Sequence, residues 1–271
     1  MTHADAETAA ARSVAYSLIA GVLAYPDSES FRAMTAYLTS GDAGRLVRRA
    51  FPALAGRFES IRTDMTRFVD AGADETATIE RTYNELYGHA VRGTCPPYEL
   101  EYGRSDILRQ ASELADISGF YQAFGMELAS PPHERPDHVT VECEFMGVLS
   151  AKHAHAIETG NDEARSILQD AQRSFLADHV SQWVPAYALR VQKADPDGFY
   201  GGVATFTGEF IRSESACFDV ACGPEYLELR PADEQGDTEF QCGVEESCPG
   251  SDSAPTTGSP GPFVQLGIDR K

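Results

Sequence analysis

Asp137 and His138 are the residues best placed to do chemistry: a carboxylate beside an imidazole, behind Pro131, Pro132 and Pro136. Each proline restricts its own φ and pushes its predecessor towards extended geometry, so helix is expected only after Pro136. Asp137 reads as the N-cap, its carboxylate accepting the free N–H groups of the first turn, with Glu142 and Glu144 soon after. The pair suits general-base catalysis, yet no serine or cysteine nucleophile stands in a recognisable elbow. His138 and Glu142, at i and i+4, have a spacing that two metal ligands could use, and His153 and His155 add imidazoles. Residues two apart point to different sides of a helix, which makes His153 and His155 more simply a solvated face. Cys217 with Cys222 and Cys242 with Cys248 invite a zinc or iron–sulfur reading, but with four and five intervening residues in polar sequence incidental cysteines are the simpler expectation. Cys143 reads as a small buried hydrophobe.

A second irregular stretch complements the first. Between Gly88 and Gly103 helical periodicity stops, and Tyr98, Glu99, Glu101 and Tyr102 follow Pro96-Pro97. Long loops inside a compact domain are usually functional or disordered, and tyrosines interleaved with glutamates favour function. A groove lined by tyrosine and carboxylate suits a peptide that is apolar in one part and basic in another. No glycine-rich phosphate loop follows a strand, so no nucleotide signature is present.

The elements that must position these loops are helical. Val14, Ala15, Leu18 and Val22 mark one face of a helix ended by Pro26, and Ser28 is expected to cap the next. Further periodic stretches carry Phe58, Ile61 and Met65, then Ile79, Tyr83, Leu86 and Tyr87. Ser105 or Asp106 should cap a helix stopped by Gly125, Asn161 the helix after Gly160, and Pro185 should enter or kink another. Phe199, Val203, Phe206 and Phe210 mark the last. The expectation is an all-α fold, a single globular bundle of about nine or ten helices over residues 1–215. Residues 216–271 read as an acidic tail, rich in glycine, proline and serine and mostly disordered, because it has too little apolar surface to offset its ordering entropy.

Composition narrows the partners. Forty-two acidic residues against 22 basic leave a net charge of −20, and the only lysines are Lys152, Lys193 and Lys271. That balance suits a halophilic cytoplasmic protein, where salt screens self-repulsion. It disfavours nucleic acid as a partner, because clustered cations for phosphate are lacking. The acidic start argues against a secretory signal, and no apolar run reaches the roughly 20 residues needed to span a bilayer.

Four motifs resemble the TorD/DmsD/NarJ family of molybdoenzyme maturation chaperones. They are Tyr83-Asn84-Glu85-Leu86-Tyr87-Gly88; Pro96-Pro97-Tyr98-Glu99-Leu100-Glu101-Tyr102-Gly103; Glu134-Arg135-Pro136-Asp137-His138 with Glu142 to Leu149; and Phe175-Leu176-Ala177-Asp178-His179-Val180-Ser181-Gln182-Trp183. The resemblance implies an all-helical, non-enzymatic cytoplasmic chaperone without a cofactor, a monomer or weak homodimer. Its implied partners are the catalytic subunit of a molybdopterin-containing oxidoreductase and that subunit's twin-arginine signal peptide. It implicates Pro136, Asp137 and His138 in recognition; the charge and aromatic pattern adds Tyr87, Tyr98, Glu99, Glu101, Tyr102 and Glu142. The contrasting reading is a small metal- or redox-dependent enzyme using His138 and the tail cysteines.

Overall fold

The computed structural model describes residues 3–39, 41–71, 73–88, 93–103, 107–128, 134–230 and 267–268. Within them the chain forms α1 (His3–Leu23), α2 (Ser28–Thr39), α3 (Gly41–Ala50), α4 (Ala55–Ala71), α5 (Ala73–Tyr87), α6 (Ile107–Ala123), α7 (Val139–Glu158), α8 (Asp162–Phe175), α9 (Ser181–Ala194) and α10 (Phe199–Cys217). The fold is all-α, as expected. Its only strands among the described residues, β1 (Met126–Glu127) and β2 (Gly267–Ile268), pair antiparallel with Met126 opposite Ile268.

The core is organised around α7. Val139, Val141, Cys143, Phe145, Met146 and Leu149 are all fully buried, so this helix is enclosed on most sides rather than amphipathic. It lies along α1, where Gly147 lets the two approach: a Cβ there would sit 3.4 Å from that of Tyr16. An enclosed ion pair from Arg12 Nε to Glu214 Oε1, at 2.8 Å, ties α1 to α10.

Several helix ends follow the sequence. Gly125 and Gly160 take positive φ of 70° and 67° where α6 and α7 stop, and the Asn161 side chain accepts from Ala164 N–H at 3.0 Å. The cap of α2 is Asp27 rather than Ser28: its Oδ1 accepts from the N–H groups of Glu29 and Ser30 at 3.1 and 2.9 Å. Ser105 and Asp106 lie outside the described residues.

Helices α8 and α9 form one rod, joined through a π-helical turn at Leu176–Val180. Such turns often mark functional positions, and this one carries His179. Pro185 has no N–H to give the carbonyl one turn back, that of Ser181. Gly223 N–H donates there instead, at 2.9 Å. Only glycine fits: a Cβ on it would lie 2.2 Å from the Gln182 carbonyl oxygen.

That bond anchors a strap, residues 218–230, which runs past the expected tail boundary. Phe218 is buried, and Val220, Leu227 and Leu229 pack on the core. Gly103 N–H donates to Glu228 O at 2.8 Å, and Arg230 N–H to Glu101 O at 2.9 Å. The remainder of the expected disordered tail, 231–266 and 269–271, lies outside the described residues, and Cys242 and Cys248 with it. No helix among the described residues is long and apolar enough to cross a membrane.

Candidate functional site

The two irregular stretches meet above the start of α7. Val139 N–H donates to Pro97 O at 2.8 Å and Glu99 N–H to Asp137 O at 2.9 Å, so Tyr98 and His138 face each other in an antiparallel bridge. Their rings pack edge to face at 4.9 Å. The loops are therefore stitched together rather than parted by a groove.

His138, not Asp137, caps α7. Its Nδ1 accepts from Thr140 N–H at 3.2 Å and lies 2.6 Å from the Thr140 hydroxyl, which requires the Nε2-protonated tautomer. Burial, with the nearby Arg135 charge, lowers its pKa to about 3. Asp137 is fully enclosed and serves the other loop: Oδ2 accepts from Leu100 N–H at 3.2 Å. The sequence reading missed its main partner, Arg135. Arg135 Nε and Nη2 meet Asp137 Oδ1 and Oδ2 at 2.9 and 2.7 Å, a two-pronged fork that takes the carboxylate out of cap duty. Arg135 also reaches Glu101 Oε1 at 3.4 Å and covers the Tyr98 ring, 4.7 Å from its centroid. The Tyr98 hydroxyl donates to Glu134 Oε2 at 2.7 Å, and the Tyr121 hydroxyl to the Pro136 carbonyl at 2.7 Å.

Beneath the loops lies a network absent from the sequence reading. Glu142 Oε2 accepts from Trp183 Nε1 at 3.0 Å. Burial first, and the neighbouring Glu99 charge second, push the Glu142 pKa well up. The other oxygen, Oε1, is buried without a hydrogen-bond partner. Glu99 in turn meets His179 Nδ1 at 3.2 Å, while His179 Nε2 stands 3.4 Å from Asp116. Burial alone would lower the His179 pKa; the Glu99 hydrogen bond and the charges of Glu99, Asp116 and Asp178 outweigh it and raise it. The His179 imidazole, set between Glu99 and Asp116, offsets part of this acidic patch.

The remaining candidates fall elsewhere. Tyr87 is a core residue, its ring 4.6 Å from Tyr83 and 5.7 Å from Tyr200, with its hydroxyl accepting from Tyr187 at 3.2 Å. Tyr102 is buried against Trp183 at 5.3 Å. Tyr98, Glu99 and Pro136 remain partly exposed. His153 is no part of a solvated face: it is buried, with Nδ1 3.3 Å from Gln172 Nε2. Cys217 and Cys222 are exposed free thiols, Cys217 beside Arg12 Nη2. Among the described residues no group of three or more His, Cys, Asp or Glu could hold a metal ion. His138 Nδ1 is engaged in capping and Glu142 Oε2 in the Trp183 bond.

Fold and site together define a class: an all-α bundle with two proline-stiffened loops joined over its central helix. Comparison gives the family. Residues 51–188, half of the chain, match the nitrate reductase delta subunit family, and the chain belongs to it, in the TorD/NarJ group that its motifs resemble. Among similar proteins is the chaperone protein TorD of Vibrio cholerae serotype O1, 26% identical over 54% of this chain and 64% of the relative's length. The perchlorate reductase assembly chaperone of Dechloromonas aromatica is 26% identical over 74% of this chain and 87% of its own. The selenate reductase assembly chaperone of Thauera selenatis is also 26% identical, over 55% and 76%. This chain thus spans less than two thirds of the TorD relative.

Proposed function

We propose that this chain is a non-enzymatic assembly chaperone. Its client is the apo-form of a molybdopterin-containing oxidoreductase catalytic subunit, and it binds that subunit's twin-arginine signal peptide in the cytoplasm before export. The observation that carries the reading is its family membership, with relatives named for assembling perchlorate and selenate reductases. The loop face supports it chemically, since Tyr98, Glu99, Glu101, Pro136 and Asp137 gather aromatic and carboxylate groups of the kind that hold arginine. His138 and Glu142 act from below, one by starting α7 and the other by holding Trp183 under the loops. Tyr87 and Tyr102 hold the scaffold.

The test is capture from the native cytoplasm in high salt with the full chain as bait. An apo-oxidoreductase that retains its twin-arginine leader is the expected catch. Recovery of only leaderless or cofactor-loaded enzyme, or of no oxidoreductase, overturns the reading.

A further inference from the structure

The loop face already holds a guanidinium, and it comes from the chain itself. Arg135 makes a two-pronged pair with Asp137 at 2.9 and 2.7 Å, a longer contact to Glu101 at 3.4 Å and a cation–π contact with Tyr98 at 4.7 Å. A carboxylate fork, a second carboxylate and an aromatic face are the three contacts by which proteins distinguish arginine from lysine. Arg135 keeps a third of its side chain exposed whereas Asp137 has none, so the guanidinium that meets both carboxylate oxygens is itself within reach of solvent. The cradle does not depend on its occupant: the bonds Glu99 N–H to Asp137 O, Val139 N–H to Pro97 O and Leu100 N–H to Asp137 Oδ2 join its walls through other atoms.

We propose that Tyr98, Glu101 and Asp137 form an arginine-reading subsite that Arg135 keeps closed in the free protein, and that a client arginine enters by exchanging with it. This rests on the chaperone reading above. Exchange conserves charge, one guanidinium leaving for solvent as another arrives, so Asp137 is never left buried and unpaired. The internal arginine competes at the high effective concentration of a short tether and lowers apparent affinity by the fraction of time it occupies the cradle. Arg135 therefore sets a threshold: a peptide must offer an arginine backed by further contacts.

The test is calorimetric titration of the full chain, as wild type, R135A and R135K, with a synthetic peptide bearing two arginines before an apolar run and with its dilysine counterpart. R135A should bind the arginine peptide about tenfold tighter than wild type and should lose most of that gain with the lysine peptide. Its melting temperature should rise with methylguanidinium but not with methylammonium at equal ionic strength. If R135A does not fold, R135K carries the same comparisons, because lysine keeps the charge but cannot fill the fork. Unchanged or weaker arginine-peptide binding by the folded variants, without guanidinium-specific stabilisation, makes Arg135 a brace and overturns the exchange. Absence of peptide binding by every form also overturns it, yet leaves the chaperone reading to the capture experiment, which does not depend on the isolated peptide. Exchange with the peptide but no oxidoreductase in the capture sinks the chaperone reading alone.

Discussion

Two buried polar clusters adjoin at Tyr102 and Trp183, and they tolerate burial by different means. On one side the rings of Tyr83, Tyr87, Tyr187 and Tyr200 pack together, Tyr200 edge to face on Tyr83 and Tyr87 and Tyr187 stacked on Tyr87, and burial pushes their hydroxyl pKa values upward so that the cluster stays neutral. On the other side Glu99, Glu101, Asp137 and Glu142 bring acidic groups together, offset by Arg135 and His179 and by the raised pKa of Glu142. The first cluster needs no partner beyond itself, and its rings gain area burial and quadrupole contacts. The second depends on counter-charges, the buried His179 and the partly exposed Arg135. The proposed arginine-reading subsite draws on the second.

The largest effect should come from the neutral cluster. Tyr87→Ala should cost about 3–5 kcal/mol in urea unfolding, as expected for a large side chain removed from a packed core. The folded fraction should still bind client peptide as wild type does; a selective loss of binding would restore Tyr87 to the site. Asp137→Asn should cost about 3 kcal/mol, because it keeps the shape but strands Arg135 and weakens the bond from Leu100. A near-neutral result in the same assay would place the holding force of the loops in their backbone bridge alone.

Acid should act next, and only on the charged side. His138 is neutral when folded, its pKa lowered to about 3 from an ordinary 6.5. Its contribution is present above pH 6.5 and lost as pH falls through the window to about 3, at about 1.4 kcal/mol per pH unit. His138→Asn retains a capping oxygen and should flatten that slope in equilibrium unfolding series. Glu142→Gln should have the smallest effect near neutrality. The Glu142 pKa is raised, so its favourable contribution is present below 4.5 and lost as pH rises through the folded value. The variant should therefore lose stability less steeply on the alkaline side, while a slope unchanged from wild type would assign that loss to His179, whose raised pKa acts in the same direction.

Helix existence was legible because its signals are local. The spacing of Ile79, Tyr83 and Leu86 shows in burial, and Gly125, Gly160 and Asn161 end or begin helices where a positive φ or a capping oxygen is required. The site was legible only as two places in the chain. Asp137 and His138 are adjacent and both able to cap, and what chose between them was Arg135, two residues back across a tight turn. Its fork depends on tertiary geometry that no periodicity records. The same holds for Trp183 reaching Glu142, and for Tyr87, expected at the peptide site although its neighbours Tyr187 and Tyr200 arrive from far along the sequence. The strap had no periodic signal because it follows the contour of the bundle. A proline on α9 and a glycine at 223 are its only sequence marks, and they acquire meaning only once paired.

The strap also makes the molecule mechanically asymmetric. A pull on the chain beyond Arg230 is first borne by the bonds from Arg230 to Glu101 and from Gly103 to Glu228, before any helix is strained. Those bonds end on the same short segment whose Glu101 side chain touches Arg135. Tension on the strap would thus reach the loop face before it reached the helices of the bundle.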